Sequence, residues 1–190
     1  MKKATLALAC GETFEGIACG ADGEAQGEVV FNTSHTGYQE ILTDPSYAGQ
    51  LVTFTVAELG NYGVHHGDEQ AEAPQVAGFI ARRVCREPSN WRADESLPGW
   101  LARHGVVGIE GVDTRRLVRV LRSSGAQQGV IDSSGASPRR WSSARGVCRE
   151  WKGRTSPARC RARSRTTGRK ALLDGIRNRR SATWWWSITE

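Results

Sequence analysis

The residue types that could do chemistry are most concentrated in FNTSHTGYQEILTDPSY, residues 31–47. Hydroxyl side chains are frequent in it, and a hydroxyl can donate to or accept from the polar groups of a ligand. The same small polar residues also build turns and helix caps. Thr33, Ser34 and Thr36 could cap a helix that begins in GYQEIL, and residues 44–46 could form a turn. Residue types and spacing therefore leave two interpretations open, a binding segment or a cap followed by a turn.

The cysteines and histidines lack the spacing of a catalytic or metal-binding motif. The five cysteines contain no C-x-x-C pair, which argues against a zinc site or a disulfide framework and is typical of a reducing cytosol. Cys10 and Cys19 are predicted to be small apolar strand residues, and Cys85 a strand end. His65 and His66 are predicted to be solvated in a polar loop rather than metal-bound. We therefore predict no metal ligand in this chain.

The segments that must position these residues alternate strand and turn signals. ATLALAC and TFEGIACG flank a polar Gly-Glu pair and predict a hairpin. Further strands are predicted in GEVVFNTS, QLVTFTV, QVAGFIARRV, VVGIEG and QQGVI. Strands interspersed with a few helices predict an α/β or α+β domain of about 130 residues, which is long enough to build its own core.

Three helices are predicted between the strands. GYQEILTD should end before Pro45, because the residue that precedes a proline avoids the helical region. SLPGWLARHG has Pro98 near its first turn, and it should end at His104, where positive charge is favourable. DTRRLVRVLRSSG has an apolar stripe, a cap at Asp113 or Thr114, and a closing glycine.

Charge divides the chain into two parts. Residues 1–138 carry 11 Lys/Arg and 17 Asp/Glu, a net charge of −6, whereas residues 139–190 carry 15 and 3, a net charge of +12. Five of the seven tryptophans also lie in the second part. Such a tail could contact nucleic-acid phosphates and stack on bases. The chain has no apolar run close to the roughly 20 residues of a membrane span, and no signal peptide is predicted.

The stretch GEVVFNTSHTGYQEILTDPSYAGQLVTFT resembles the N-terminal domain of the small, glutamine-hydrolysing subunit of carbamoyl-phosphate synthase. The resemblance continues through GNYGV, VAGFIARRV and LARHGVVGIEGVDTRRLVRVLRSSGAQQGVI, and it covers residues 1 to 131 in order. His35 is a departure, because the family pattern has Met or another apolar residue there. The resemblance implies a swivelling β/β/α-type domain over residues 1–133.

The resemblance also implies a function. In the family this domain docks on a large subunit, which uses ATP and Mg²⁺ to make carbamoyl phosphate for arginine and pyrimidine synthesis in the cytoplasm. Ammonia comes from glutamine, hydrolysed by a second domain with a catalytic cysteine. The serine that matches Ser46 helps to bind that glutamine. The implied partners are thus the large subunit and glutamine, with no catalytic residue and no cofactor in this chain and no membrane contact.

The sequence after residue 131 resembles the family only in a shifted reading frame. Because Trp has the single codon TGG, ATWWWSITE can be read from its third base as His-Val-Val-Val-Val-Asp-Tyr-Gly, the strand type that opens the family's amidotransferase domain. PRRWSSARGVCREWKG likewise permits a family-like helix and turn. We therefore predict one frameshift near Pro138 and a disordered, out-of-frame tail over 134–190. The tail's arginines then reflect GC-rich codons rather than nucleic-acid binding.

Two function classes follow from these observations. The first is a glutamine-dependent synthase subunit that keeps only its docking domain and is inactive as a glutaminase. The second is a non-catalytic interaction module or pseudogene product, with a basic tail that could bind nucleic acid. The nucleophile segment of the family, which an active glutaminase requires, is absent from the sequence as written.

Overall fold

Seven strands form a closed barrel in the computed structural model, which describes residues 2–134. Around the barrel the order is β1-β2-β6-β5-β4-β3-β7. The strands are β1 Lys3–Leu8, β2 Thr13–Gly20, β3 Glu24–Asn32, β4 Leu51–Phe54, β5 Gly78–Ile80, β6 Val107–Glu110 and β7 Gln127–Asp132. The neighbours from β3 through β4 and β5 to β6 are parallel, and the other pairs are antiparallel. The expected mixture of strands and helices is confirmed, whereas barrel closure was not predicted.

The predicted hairpin is confirmed at its predicted place. Strands β1 and β2 pair antiparallel from Lys3 opposite Ile17 to Ala7 opposite Thr13. The other predicted strands are also present, although with different bounds. Strand β3 begins earlier than GEVVFNTS, and β5 covers only GFI of the longer run QVAGFIARRV.

The inside of the barrel is filled by one apolar cluster. Alternation along β4 places Leu51 in this cluster and its neighbours Val52 and Phe54 on the opposite face, as expected for a strand with both faces buried. The inner side chains include Leu6, Leu8, Phe14, Val29, Leu51, Ile80, Ile109 and Ile131. Leu117 and Leu121 of helix α3, Thr114–Ser124, belong to the same cluster. Helix α3 therefore packs its apolar stripe against the barrel interior.

A second cluster lies on the outer face of the same sheet. It is built on Val52, Phe54 and Phe79 from β4 and β5. Helix α1, Tyr38–Thr43, and helix α2, Leu97–Arg103, cover these strands together with side chains from the connecting loops. The covering residues include Tyr38, Leu42, Leu59, Val64, Val84, Leu97, Trp100 and Leu101. The segment of interest, residues 31–47, thus leaves the barrel at the end of β3 and enters this outer layer.

Local capping signals explain two of the three helices. The Asp113 carboxylate accepts from the Arg116 N–H at 3.0 Å, and α3 is followed by Gly125 with φ 75°. The Ser96 hydroxyl accepts from the Gly99 N–H at 3.4 Å at the start of α2. His104 ends α2 as predicted, with Nδ1 2.9 Å from the Trp100 carbonyl oxygen. Helix ends with side-chain caps of this kind can be predicted from sequence.

The predicted caps of α1 are wrong. Its N-cap is Gly37, in a left-handed conformation with φ 78°, and no side chain of the preceding residues bonds to the first turn. The Tyr62 hydroxyl instead accepts from the Gly37 N–H at 2.7 Å. Thr33, Ser34 and Thr36 remain exposed. A long-range contact therefore replaces the local cap, which is possible because the left-handed glycine turns the chain towards Tyr62.

The cysteine predictions hold in part. Cys19 is a buried strand residue of β2, as predicted, but Cys10 is exposed in the turn after β1 and is not a strand residue. Cys85 follows an isolated bridge at Val84 and is partly buried.

Apart from Ser134, the predicted tail over 134–190, with its frameshift near Pro138, lies outside the described residues. None of the helices among residues 2–134 has the length and the apolar content that a membrane span requires.

Substitution of Gly63 by alanine is expected to destabilise the fold more than the same substitution of a glycine that has open space around it. Its φ is 72°, and an added Cβ would lie 2.5 Å from Ala93 Cβ and 2.9 Å from the Glu95 carbonyl oxygen. Gly49 has a similar φ of 76° but no atom within 4 Å of such a Cβ. We expect Gly63→Ala to lower the free energy of unfolding by about 2–5 kcal/mol and Gly49→Ala by about 1–2 kcal/mol. Urea unfolding of both variants measures the difference, and equal losses would contradict this packing.

Candidate functional site

Ser46 lies on the surface, in a single 3-10 turn formed by Pro45–Tyr47. The Asp44 carboxylate accepts from the Ser46 N–H at 2.8 Å, and Pro45 fixes the backbone at the first position of the turn. The predicted turn is therefore confirmed. The Ser46 hydroxyl makes no hydrogen bond within residues 2–134, so it is free to bond to a ligand or to water.

The end of β3 is tied to this turn by one side chain. The Asn32 amide donates from Nδ2 to the Tyr47 hydroxyl at 3.1 Å. Its Oδ1 accepts from the Ser34 N–H at 2.7 Å. Asn32 thus joins the exposed loop 33–36 to the turn that carries Ser46. Sequence reasoning missed this residue, because an Asn at a strand end has no distinctive signal for a partner 15 residues away.

The first turn of α1 is held by a pair of tyrosines. Tyr38 and Tyr62 stack with their ring centroids 4.3 Å apart, and the buried Tyr38 hydroxyl donates to the Gly63 carbonyl. The Tyr62 hydroxyl accepts from the N–H groups of Gly37 and Tyr38. Burial raises the pKa of both phenols above the usual range, so both remain protonated at neutral pH. The two tyrosines therefore stabilise the packing of α1, and neither of them is ionised and available for acid–base chemistry.

The rest of α1 is bonded to the loop that follows β4. The buried Gln39 amide donates to the His65 carbonyl and accepts from the His65 N–H, both at 2.9 Å. The buried Thr43 hydroxyl donates to the Gln39 carbonyl at 2.8 Å and accepts from the Gln70 N–H at 2.9 Å. Most polar residues of GYQEILT are therefore structural. Buried polar groups need such partners, which accounts for the density of polar side chains in this stretch.

Once these contacts are assigned, few polar groups of residues 31–47 remain available to a ligand. The exposed ones are Ser46 and the neighbouring loop 33–36, which includes His35. His35 is exposed, so a polar side chain is compatible with the fold at this position. A structural interpretation therefore applies to some residues of the stretch, and a binding interpretation stays open for others. Its central part anchors the outer layer, and its two ends present hydroxyl groups at the surface.

The prediction for the histidine pair is only partly correct. His65 and His66 lie in a loop, but His65 Nδ1 lies 2.9 Å from Asp94 Oδ2, and the same oxygen accepts from the His66 N–H at 3.0 Å. These hydrogen bonds hold the pKa of Asp94 below its ordinary value, with the His66 N–H as the main cause. These contacts join the loop that contains the two histidines to the loop that contains Asp94. Within residues 2–134 no group of three or more His, Cys, Asp or Glu side chains could hold a metal ion.

No described cysteine has the environment of a nucleophile. Burial raises the pKa of the Cys19 thiol to about 11, so the thiolate is rare at neutral pH. The nearby Arg86 lowers that pKa by less than burial raises it, and Arg86 forms an ion pair with the buried Glu110. The Cys85 thiol donates to the Glu87 carbonyl at 3.1 Å. Cys19 is therefore a buried core residue, and the Cys85 thiol is bonded to a backbone carbonyl.

A cleft of about 270 Å³ opens beside α2, away from the contacts of Ser46. It is lined by Val64, His66, Asp94, Glu95, Trp100 and Arg103. Its charged groups are largely paired with protein groups, because Arg103 bonds to Glu95 through two nitrogens and Asp94 bonds to the histidine loop. Ser46 is not among the lining residues. The geometry does not connect this cleft with the polar ends of the 31–47 stretch.

Comparison with known proteins supplies the family. The sequence pattern described as "Carbamoyl-phosphate synthase small chain, CPSase domain" matches residues 6–131. The carbamoyl phosphate synthase small chain of Synechococcus sp. is 58% identical over 135 residues, which are 71% of this chain and 34% of that protein. The small chain of Parasynechococcus marenigrum is 59% identical over 137 residues, 72% of this chain and 36% of that protein. The chain thus spans about a third of the length of these relatives.

A more distant bacterial relative gives the same result. The carbamoyl phosphate synthase small chain of Syntrophotalea carbinolica is 54% identical over 136 residues, 72% of this chain and 36% of that protein. The solved structure of a peptidase M28 precursor from Shewanella amazonensis has a TM-score of 0.37 at 9% identity, covering 69% of this chain and 34% of that one, which is too low to establish a common fold. The family match contains the barrel, the outer layer and the Ser46 turn, and through it this chain belongs to the carbamoyl-phosphate synthase small chain family.

Proposed function

We propose that residues 1–133 are the swivelling β/β/α-type N-terminal domain of a glutamine-dependent carbamoyl-phosphate synthase small chain. The observation that carries the proposal is the family match over residues 6–131, supported by 58% identity to the Synechococcus small chain. The match begins in β1 and ends in β7, so it coincides with one closed barrel and its outer layer. A match that coincides with a whole folded unit supports a shared role of that unit.

The role that we propose for this domain is docking on the large chain of the synthase. The large chain would bind ATP and Mg²⁺ and make carbamoyl phosphate, for arginine and pyrimidine synthesis in the cytoplasm. This domain would itself hold no cofactor. The burial of Cys19, which raises the pKa of its thiol to about 11, supports a structural rather than a catalytic role for that cysteine.

We further propose that Ser46 contributes to the glutamine site of the full-length small chain. It is exposed, its hydroxyl makes no hydrogen bond to residues 2–134, and the backbone of its turn is constrained by Asp44 and Pro45. In this arrangement Ser46 would reach across the domain boundary to glutamine bound on the amidotransferase domain. A hydroxyl that has no partner among the described residues can bond to a polar ligand without first losing a protein contact there.

Binding to a purified large chain tests the docking role. The full 190-residue chain should form a complex with the large chain of the Synechococcus sp. enzyme, measured by sedimentation velocity or light scattering. Full-length Synechococcus small chain should displace it, because both would occupy the same surface. Failure to bind at concentrations at which the full-length small chain saturates the large chain would refute the docking role.

A further inference from the structure

We infer that Asn32 and Tyr47 are positioning residues for Ser46, and that their hydrogen bond sets how well the small chain uses glutamine. The inference rests on the proposed function, because it requires Ser46 to contact glutamine. The bond joins Asn32 Nδ2 to the Tyr47 hydroxyl at 3.1 Å, one residue from Ser46.

Asn32 is itself fixed by the barrel. It is the last residue of β3 and stands opposite Phe54, the last residue of the parallel strand β4. Its carbonyl accepts from the Thr55 N–H at 3.1 Å. Its side-chain amide uses both ends, because Oδ1 accepts from the Ser34 N–H while Nδ2 donates to Tyr47. Because both its oxygen and its nitrogen are hydrogen-bonded, the amide has one preferred orientation, and it can hold the turn at a defined position relative to the strand.

The Ser46 turn has few other constraints. Apart from the Asp44 carboxylate, its bonds are backbone contacts within residues 44–50, such as Tyr47 N–H to the Asp44 carbonyl at 3.1 Å. The segments on either side of the turn are bonded to other parts of the fold, because the Asp44 N–H donates to the Ile41 carbonyl at 3.4 Å and the Gly49 N–H donates to the Gln75 carbonyl at 3.1 Å. Among residues 2–134, the hydrogen bond that joins the turn 45–47 itself to the barrel is the one from Asn32 to Tyr47. A shift of about 1 Å in a substrate-binding group can have a large effect on an enzyme's rate.

The Tyr47 ring and the Tyr47 hydroxyl have separable roles. The ring is partly buried and packs against the outer apolar cluster, whereas the hydroxyl bonds to Asn32. Tyr47→Phe therefore removes the bond and keeps the packing. Asn32→Ala removes the other partner of the same bond, and it also removes the acceptor of the Ser34 N–H. Asn32→Asp is the conservative replacement, because a carboxylate can accept from both the Ser34 N–H and the Tyr47 O–H.

The test uses a full-length small chain in which residues 1–131 of this chain replace the matching domain of the Synechococcus relative, assembled with its large chain. Tyr47→Phe and Asn32→Ala should each raise the glutamine concentration for half-maximal synthesis about three- to tenfold. The double variant should be no worse than Asn32→Ala, and Asn32→Asp should lie closer to the unmodified chain. Synthesis from free ammonia should not change, because ammonia does not use the glutamine site.

The outcomes separate this inference from the function on which it rests. If Ser46→Ala impairs the use of glutamine but Tyr47→Phe does not, Ser46 is in the site and the positioning role is overturned. Effects of Tyr47→Phe and Asn32→Ala that multiply in the double variant would also overturn it, because the two residues would then act separately. An equal loss of ammonia-dependent synthesis would overturn it as well, because the Asn32–Tyr47 bond would then support the fold as a whole rather than the use of glutamine. If Ser46→Ala has no glutamine-specific effect, both the inference and the proposed glutamine contact fail.

Discussion

Ser46→Ala in a full-length small chain that carries this domain should raise the glutamine concentration needed for synthesis by about ten- to a hundredfold. The reason is the loss of one hydrogen bond to a charged group of glutamine, which is worth roughly 1.5–3 kcal/mol. The exposed position of Ser46 means that its hydroxyl supports no buried contact of the domain. The measurement is the ratio of glutamine-dependent to ammonia-dependent carbamoyl phosphate synthesis.

A matched control separates the hydroxyl of Ser46 from serine hydroxyls in general. Ser123 is exposed near the end of α3, and its hydroxyl donates to the Val120 carbonyl at 3.1 Å. Ser123→Ala should leave the ratio unchanged. A Ser46→Ala chain with an unchanged ratio, or with a ratio altered no more than by Ser123→Ala, would remove Ser46 from the glutamine site and leave it as a turn residue.

The purified 190-residue chain should release no ammonia from glutamine above the background rate. Covalent amide hydrolysis needs an activated nucleophile and a base. Among residues 2–134, Cys19 is buried with its pKa raised to about 11, Cys10 lies in an exposed turn, and Cys85 donates to a backbone carbonyl. The His65 ring bonds to Asp94 and makes no hydrogen bond to a described cysteine. An assay of ammonia release with and without a thiol-alkylating reagent checks this expectation.

The positive control is the full-length small chain of the Synechococcus relative, which should release ammonia under the same conditions. Turnover by the 190-residue chain that alkylation of Cys10, Cys19 or Cys85 abolishes would contradict the assignment of these cysteines as structural. Turnover that survives alkylation would point to a contaminating glutaminase.

Local signals predicted the parts of the fold that depend on neighbours in sequence. The β1–β2 hairpin, the Asp113 cap of α3 and the position of Pro98 in α2 all follow from residues within a few positions of one another. Closure of the barrel depends instead on β7 pairing with both β1 and β3, more than 90 residues away from each (for example 131 − 25 = 106). No periodicity in the sequence specifies such a pairing.

The candidate site was predictable only through the resemblance. Residue types placed Ser46 in a turn, but they could not distinguish its free hydroxyl from the buried and bonded hydroxyl of Thr43. The cap of α1 was mispredicted because its acceptor, Tyr62, lies 25 residues beyond the Gly37 N–H. The Asn32–Tyr47 and His65–Asp94 contacts were missed for the same reason. Side-chain partners chosen by tertiary packing carry no local signature.

The measurement that tests the central claim most directly is domain replacement. Residues 1–131 of this chain should replace the matching domain of the Synechococcus small chain, to which they are 58% identical over the aligned region, and the hybrid should be assembled with the Synechococcus large chain. We expect carbamoyl phosphate synthesis from glutamine at a rate close to that of the unmodified enzyme. A hybrid that assembles and uses free ammonia but cannot use glutamine would contradict the claim that this barrel performs the role of the small-chain domain.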